Sequence, residues 1–419
     1  MMISKSSKND TQNEVYVWIW LPNQTHPVVD GRLAPSAQGL QFNYGRSYLE
    51  RKDAIPIYLP ELPLQPGVLP LPPGLSMPGS LRDASPDAWG RRVIMNCLLG
   101  IKNQDADTAR IDELTYMLES GSDRVGAVDF QASPSEYVPR MAGQAKLEQL
   151  LEAADRVEKG MPLPWDLEKV LIHGTSLGGA RPKALLDSDD AKYIAKFSSS
   201  TDFFPVVKAE FIAMRLAALC GIDVAGVKLV KTLGKDVLLV QRFDRRKCDT
   251  GWLRKGMISA LTLLELDEMM ARYASYEDLA EIVRYRFTKP KATLRELFSR
   301  LVFNVLCSNT DDHARNHAAF WDGSHLSLTP AYDICPQLRT GQEATQAMLI
   351  SGHNRFSRLD VCRDAAQQFL LSKTEAQTIM DHQIETIHQY WNPVCEEAEL
   401  PQADKNLLWS RQFLNPYSI

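Results

Sequence analysis

The spacing of apolar positions changes along the chain, and each change marks a new element. Residues 15–21 are rich in β-branched and aromatic side chains and read as a strand; residues 28–33, with Asp30-Gly31 at their centre, read as a hairpin. Residues 56–78 carry eight prolines, a density that excludes helix and central strand and predicts a stiff, extended segment laid across a surface. Ser85-Pro86-Asp87 then supplies an N-cap, a first-turn proline and an acid ahead of residues 91–99, predicting a helix that stops at Gly100. A second helix at 114–118 and a strand at 125–130 close an α+β region near residue 140.

A period of 3.6 returns at residues 144–158, where Leu147, Leu150, Leu151, Ala154 and Val157 share one face ahead of Gly160. Residues 192–197 alternate as a strand after a turn at 187–190; residues 206–220 form a helix stopped by Gly221, and strands follow at 227–230 and 237–243. Beyond residue 257 the pattern is mostly helical, at 276–285, 292–307, 374–391 and 403–413, interrupted by a strand–turn–strand about Asp322-Gly323. The helix at 292–307 turns Leu294, Leu297, Leu301, Val302 and Val305 to one side, which predicts a buried helix.

Composition narrows the class. A chain of 419 residues with 44% apolar content can bury a large core in two or three domains or subdomains. A net charge of −5 provides no general grip on nucleic acid, so direct DNA binding is not the first reading. Seven scattered cysteines without a Cys-X-X-Cys pair indicate neither a disulfide framework nor a zinc knuckle and fit a reducing cytoplasm. No run of 18 apolar residues predicts a membrane span, and the polar residues 1–14 read as a disordered tail rather than a signal sequence.

The chemistry concentrates at residues 308–334. Asp311 and Asn316 stand five apart, and Asp333 follows the strand–turn–strand. Phosphoryl transfer needs a carboxylate to accept the attacking hydroxyl's proton and oxygen ligands for Mg²⁺ bridging the ATP phosphates. Asp311 suits the first role, Asn316 and Asp333 the second, with the spacing of a kinase catalytic loop but without its His-Arg-Asp or Asp-Phe-Gly letters. The same residues also read as helix caps, and His313 and His317, four apart, as zinc ligands on one helix face. Upstream, Gly178, Gly179, Ala180, Arg181, Pro182 and Lys183 lie in a glycine-rich loop whose amides suit phosphates, or which is simply a turn; its spacing is not that of a P-loop. Lys196 reads either as an edge lysine snorkelling to water or as a phosphate contact, and Glu210 either as its partner or as a favourable charge near a helix start. Gln241, Arg242 and Phe243 fall where a strand leaves the sheet for the helical region, the place of a hinge whose backbone could bond adenine.

These motifs, in this order, resemble the HipA family of serine/threonine-protein kinase toxins over about residues 15–390: Ser176-Leu-Gly-Gly-Ala-Arg-Pro-Lys183, Ile194-Ala-Lys196-Phe, Arg242-Phe-Asp-Arg245, Asn309-Thr-Asp-Asp-His-Ala-Arg-Asn316 and Pro330-Ala-Tyr-Asp333. Leu81-Arg-Asp-Ala-Ser-Pro-Asp87 and Asp123-Arg-Val-Gly-Ala-Val128 resemble the family's amino-terminal subdomain. The resemblance implies an α+β, two-lobed, protein-kinase-like fold: an accessory subdomain at 15–140, a nucleotide-binding lobe at 141–243 and a mainly helical catalytic lobe at 244–419. It implies Asp311 as base, Asn316 and Asp333 as Mg²⁺ ligands, Lys196 on the phosphates of ATP, and His313, Ala314, Arg315 and Tyr332 around the nucleotide. Ser176 matches the family's autophosphorylated serine, whose modification switches the kinase off. The expected partners are a helix-turn-helix antitoxin of a type II toxin–antitoxin system, with DNA contact mainly through it, and a protein substrate such as an aminoacyl-tRNA synthetase. Gln241 at the hinge, Asp312 where the best-known member has glycine, and the middle of the glycine loop depart from the pattern. The rival reading is a catalytically silent scaffold or corepressor that holds an antitoxin on its operator.

Overall fold

This computed structural model describes residues 13–99, 111–141, 145–164, 167–168, 171–172, 179–339 and 341–419. An antiparallel sheet comes first, built from β1 (Val15–Ile19), β2 (Val28–Ser36), β3 (Gly39–Tyr44) and the later β4 (Val128–Gln131) in the order β3-β2-β1-β4. Val15, Val17, Leu33, Phe42 and Phe130 form its buried face. The hairpin expected at Asp30-Gly31 does not form, because β2 runs through it and turns at residues 37–38. Glycine serves close approach there: a Cβ on Gly31 would lie 2.3 Å from the Asn43 carbonyl oxygen of β3. Glu14, assigned to the disordered tail, pairs with Arg32 at 2.8 Å; residues 1–12 lie outside the described residues.

The proline-rich segment is irregular and runs over the surface with residues 64–68 exposed, as expected, but it also contributes to the core. Ile57, Leu62, Leu69 and Met77 are buried in the core of the first sheet. Helix α1 (Ala88–Leu99) starts beyond Ser85 and Pro86, so Ser85 is not its cap, and Asp87 is committed to Gly179 instead. Gly100, its expected stop, lies outside the described residues. Helix α2 (Glu113–Glu119) is capped by Asp112, which accepts from Thr115 N at 3.0 Å. Helix α3 (Leu147–Glu158) follows.

A second antiparallel sheet contains β5 (Lys183–Asp187), β6 (Lys192–Phe197), β7 (Val227–Thr232) and β8 (Lys235–Gln241), ordered β5-β6-β8-β7. One face meets α1 and α3 through Ala195, Phe197, Val237 and Leu239, packed with Trp89 and Leu151. Period two puts Ile194 and Lys196 on the opposite face, over α4 (Val206–Leu219). That helix is buried almost all round, Glu210 included, between the sheet and α7 (Lys373–Glu397).

The carboxyl-terminal region contains α5 (Tyr276–Arg286) and α6 (Pro290–Leu306), whose Leu294, Leu297, Leu301, Val302 and Val305 are fully buried. Each such side chain stabilises the fold by about 1.5–3 kcal/mol. The region is less uniformly helical than expected. Strands β9 (Arg245–Cys248) and β10 (Gly251–Arg254) form a hairpin, and β11 (Gly256–Ser259), β12 (Ala318–Trp321) and β13 (Leu326–Leu328) form a sheet in that order, with Asp322-Gly323 as its turn. The helix expected at 403–413 ends at Leu408, after which Ser410 N bonds Phe413 O at 2.9 Å and folds the chain back. Among the described residues no helix is long and apolar enough to cross a membrane.

Candidate active site

Strand register sets the site's first property. Lys183 of β5 stands directly opposite Lys196 of β6, and like charges in that relation repel. Carboxylates supply the compensation: the Lys196 ammonium donates to both Glu210 of α4 and Asp333. Burial pushes each lysine down; for Lys196 the two carboxylates more than reverse this and raise it, whereas Lys183 stays lowered. Burial alone would raise Asp333, yet Lys196 and Lys183 hold it well below the usual carboxylate range. Glu210 is raised by burial, which Lys196 offsets only in part.

Asp333 is held in left-handed backbone, φ 59°, at a cost of about 1–3 kcal/mol that its surroundings must overcome. They do so through the two residues before it: Ala331 N bonds Asp223 O at 2.7 Å, Ala225 N bonds Ala331 O at 2.9 Å, and the Tyr332 hydroxyl donates to Arg315 O at 2.7 Å.

The loop from Ser308 to His317 is a tight turn with one short 3₁₀ segment, Ala314–Asn316, rather than the end of a helix. The Asn316 amide nitrogen donates to the Asp311 carbonyl at 3.2 Å and draws the loop's ends together. The Asp311 carboxyl is exposed beside the cavity; partial burial, then Asp333 and Asp312, raise its pKa, and His313 opposes them. His313 lines the cavity whereas His317 is buried and bonded to Asp312 at 2.9 Å, so the rings do not share the helix face that a zinc pair requires.

These groups surround a cavity of about 370 Å³ lined by Gly179, Ala180, Lys183, Lys196, Gln241, Arg242, Phe243, His313, Arg315, Asn316, Tyr332 and Asp333. Gly179, at φ +103°, permits the close approach of Lys183, whose Nζ would sit 2.0 Å from a Cβ there. Phe243 and Tyr332, 5.7 Å between centroids, make an aromatic wall. Some expected members lie outside the cavity or line it with their side chain or N–H engaged elsewhere. Arg181 makes a two-pronged pair with Asp202 at 2.6 and 3.1 Å, and Pro182 and Ala314 do not line the cavity. The Arg242 guanidinium turns away to Asp244 and the carbonyls of Asp123 and Arg124. The Gln241 N–H is spent on Gly226 O at 2.7 Å, which removes it as an adenine donor. Ser176 and Gly178 lie outside the described residues.

Asp83 and Asp87 of the amino-terminal region also line the cavity, which sequence reasoning missed. The motif containing them was visible, but nothing local shows that it crosses to a loop about ninety residues later. A larger cavity of about 440 Å³ between β1 and β12 contains none of the expected groups.

An antiparallel sheet carrying a half-buried lysine, a helix glutamate paired to it, and an Asp/Asn/Asp set below define a protein of the two-lobed kinase fold. Residues 175–391 match the HipA-like C-terminal domain and residues 23–131 the HipA N-terminal domain. The chain belongs to the HipA family. It is 25% identical over 327 residues to Y4mE of Sinorhizobium fredii, covering 70% of this chain and 71% of that protein. It is 25% identical over 244 residues to the serine/threonine-protein kinase toxin HipA of Shewanella oneidensis, covering 51% of this chain and 54% of that protein. In fold it is similar to the solved complex of Shewanella oneidensis MR-1 HipA with HipB and operator DNA, at TM-score 0.66 and 19% identity, covering 96% of this chain and 99% of that one.

Proposed function

We propose that the protein is a Mg²⁺- and ATP-dependent serine/threonine-protein kinase acting in the cytoplasm as the growth-arresting toxin of a type II toxin–antitoxin system. The observation that carries the reading is the meeting of Lys196, Asp333 and Asn316 in one cavity, with buried Glu210 paired to Lys196 and Asp311 exposed beside them. Lys196 and Lys183 would hold phosphate oxygens under the loop that includes Gly179 and Ala180. With Gln241 N–H spent, adenine recognition falls to the Gln241 carbonyl, the Phe243 backbone and the Phe243–Tyr332 wall. Asn316 and Asp333 suit Mg²⁺: the Asn316 nitrogen is engaged by Asp311, which leaves its oxygen, and Asp333 stays ionised, so both offer hard oxygen donors. When bound, the metal neutralises phosphate charge. Asp311 accepts the proton of the attacking Ser or Thr hydroxyl, and its exposure leaves room for a protein substrate.

The proposed partner is a HipB-like helix-turn-helix antitoxin that carries the DNA contact, consistent with a chain of net charge −5. The proposed target is an aminoacyl-tRNA synthetase or another translation protein. Autophosphorylation at Ser176 would add about −1.5 to −2 charges beside the triphosphate and switch the enzyme off. The decisive experiment incubates purified protein with γ-labelled ATP and Mg²⁺. Asp311→Ala and Asp333→Ala are expected to lose at least about 10²-fold in label transfer. If both transfer label like the wild type, the site assignment is wrong. Intact mass after ATP incubation, with Ser176→Ala as control, tests the autophosphorylation.

A further inference from the structure

Behind the loop that presents Asp311 and Asn316, three buried polar groups meet. Asp312, His317 and Tyr276 are 1%, 3% and 0% exposed. The Tyr276 hydroxyl donates to one oxygen of Asp312, His317 Nε2 lies 2.9 Å from the other, and Nε2 and the Tyr276 oxygen are 3.1 Å apart. A buried carboxylate is tolerated only when its oxygens are bonded, and this one has a donor on each. Among the described residues His317 Nδ1 has no hydrogen-bond partner, so the tautomer with the proton on Nε2 is the one that leaves no N–H buried without an acceptor.

The arrangement repeats the front of the loop on its back. Asp311 and Asn316 are joined at the front by the amide–carbonyl bond at 3.2 Å. The residues one step further on, Asp312 and His317, are joined at the back by a hydrogen bond over the same five-residue span. The back is tied to fixed structure. Tyr276 is the first residue of α5 and touches Phe369, with 6.5 Å between ring centroids, and the His317 carbonyl accepts from Ala260 N at 2.7 Å at the end of β11. We propose that Asp312, His317 and Tyr276 are positioning residues that set the separation of base and metal ligand from behind the loop, a role that rests on the kinase reading above. They touch no reacting atom. They act on rate because a misplacement of about 1 Å at a reacting pair costs about 10²-fold.

The test uses the full chain and steady-state transfer of labelled phosphate. Asp312→Asn keeps the volume but presents an NH₂ to one of the two donors, and is expected to lower kcat by roughly 10–100-fold while the KM for ATP stays within about twofold. Tyr276→Phe removes one hydroxyl and is expected to lower kcat by roughly 3–10-fold at the same KM, with Tm measured alongside to separate positioning from unfolding. Both variants retaining wild-type kcat, or losing it only in proportion to the unfolded fraction, overturns the proposal. So does a raised ATP KM at unchanged kcat. Absence of transfer by the wild type overturns the kinase reading and this proposal with it, whereas unchanged variants of an active wild type overturn this proposal alone.

Discussion

Glu210 matters because of what Lys196 does without it. The ammonium is shared between Glu210 and Asp333, and removing the helix carboxylate leaves it to Asp333 alone, where it competes with a metal for the same oxygens. Glu210→Gln is therefore expected to raise the Mg²⁺ concentration for half-maximal transfer and lower turnover by about 10–100-fold, the loss of one charge-assisted bond. A Mg²⁺ titration of initial rates checks this. Much of this group was legible in the sequence: period two separates Lys196 from Ala195 and Phe197, and the order of Asp311, Asn316 and Asp333 carries their chemistry. The left-handed backbone of Asp333 was not legible, because tertiary contacts impose it on a residue type without glycine's freedom. The side-chain partners of Arg242 were illegible for a related reason. Its position marks a hinge, but its acceptors, Asp123 and Arg124, are some 120 residues distant.

Helix α1 and the loop entering β5 make one working unit. Asp87 accepts from Gly179 N–H, Trp89 N donates to Gly179 O at 3.2 Å, and the Trp89 indole donates to Lys183 O at 2.9 Å. The amino-terminal region thus grips both polar groups of one glycine peptide position beside the phosphates. Asp87→Ala is expected to raise the ATP KM by about tenfold with kcat nearly unchanged, and Asp87→Asn, which keeps an accepting oxygen, to do less. A KM within twofold of wild type for Asp87→Ala would remove this role. Helices were the most legible elements because their apolar period is local. The β11-β12-β13 sheet was half-legible: its hairpin has a turn signal, but β11 pairs with β12 across about sixty residues and carries none.

At the scale of the molecule, the amino-terminal region is joined to the kinase-like lobes through buried charge. Asp123 lies 2.9 Å from Arg245, 3.1 Å from Arg242 and 2.7 Å from Lys192, and Asp244 pairs with both arginines. Burial alone would raise Asp123, but Arg242, Arg245, Arg254 and Lys192 hold it well below its ordinary value. A depressed carboxylate contributes stability that is present above its unfolded pKa, about 3.9, and lost as pH falls through the folded value. Tm is therefore expected to be insensitive to this group from pH 7 to about 5 and to fall below about pH 4. Asp123→Asn should lower Tm at pH 7 by several degrees and flatten the acid limb, since one partner of a buried pair has been lost. A Tm–pH series on both proteins checks it, and parallel curves would contradict it. The two-lobed class was legible from motif order, whereas this junction was not, because nothing local shows that the motifs containing Asp123, Arg242 and Arg245 pair with one another across some 120 residues.

Because Arg242 sits in the connection between β8 and the helical region while its guanidinium grips Asp123 and Arg124 carbonyls, that connection cannot flex by itself. Any swing that widens the nucleotide cleft must carry the first sheet along as a passenger. A molecule clasping that sheet from outside would therefore also restrain how far the cleft can breathe, without coming near the phosphates.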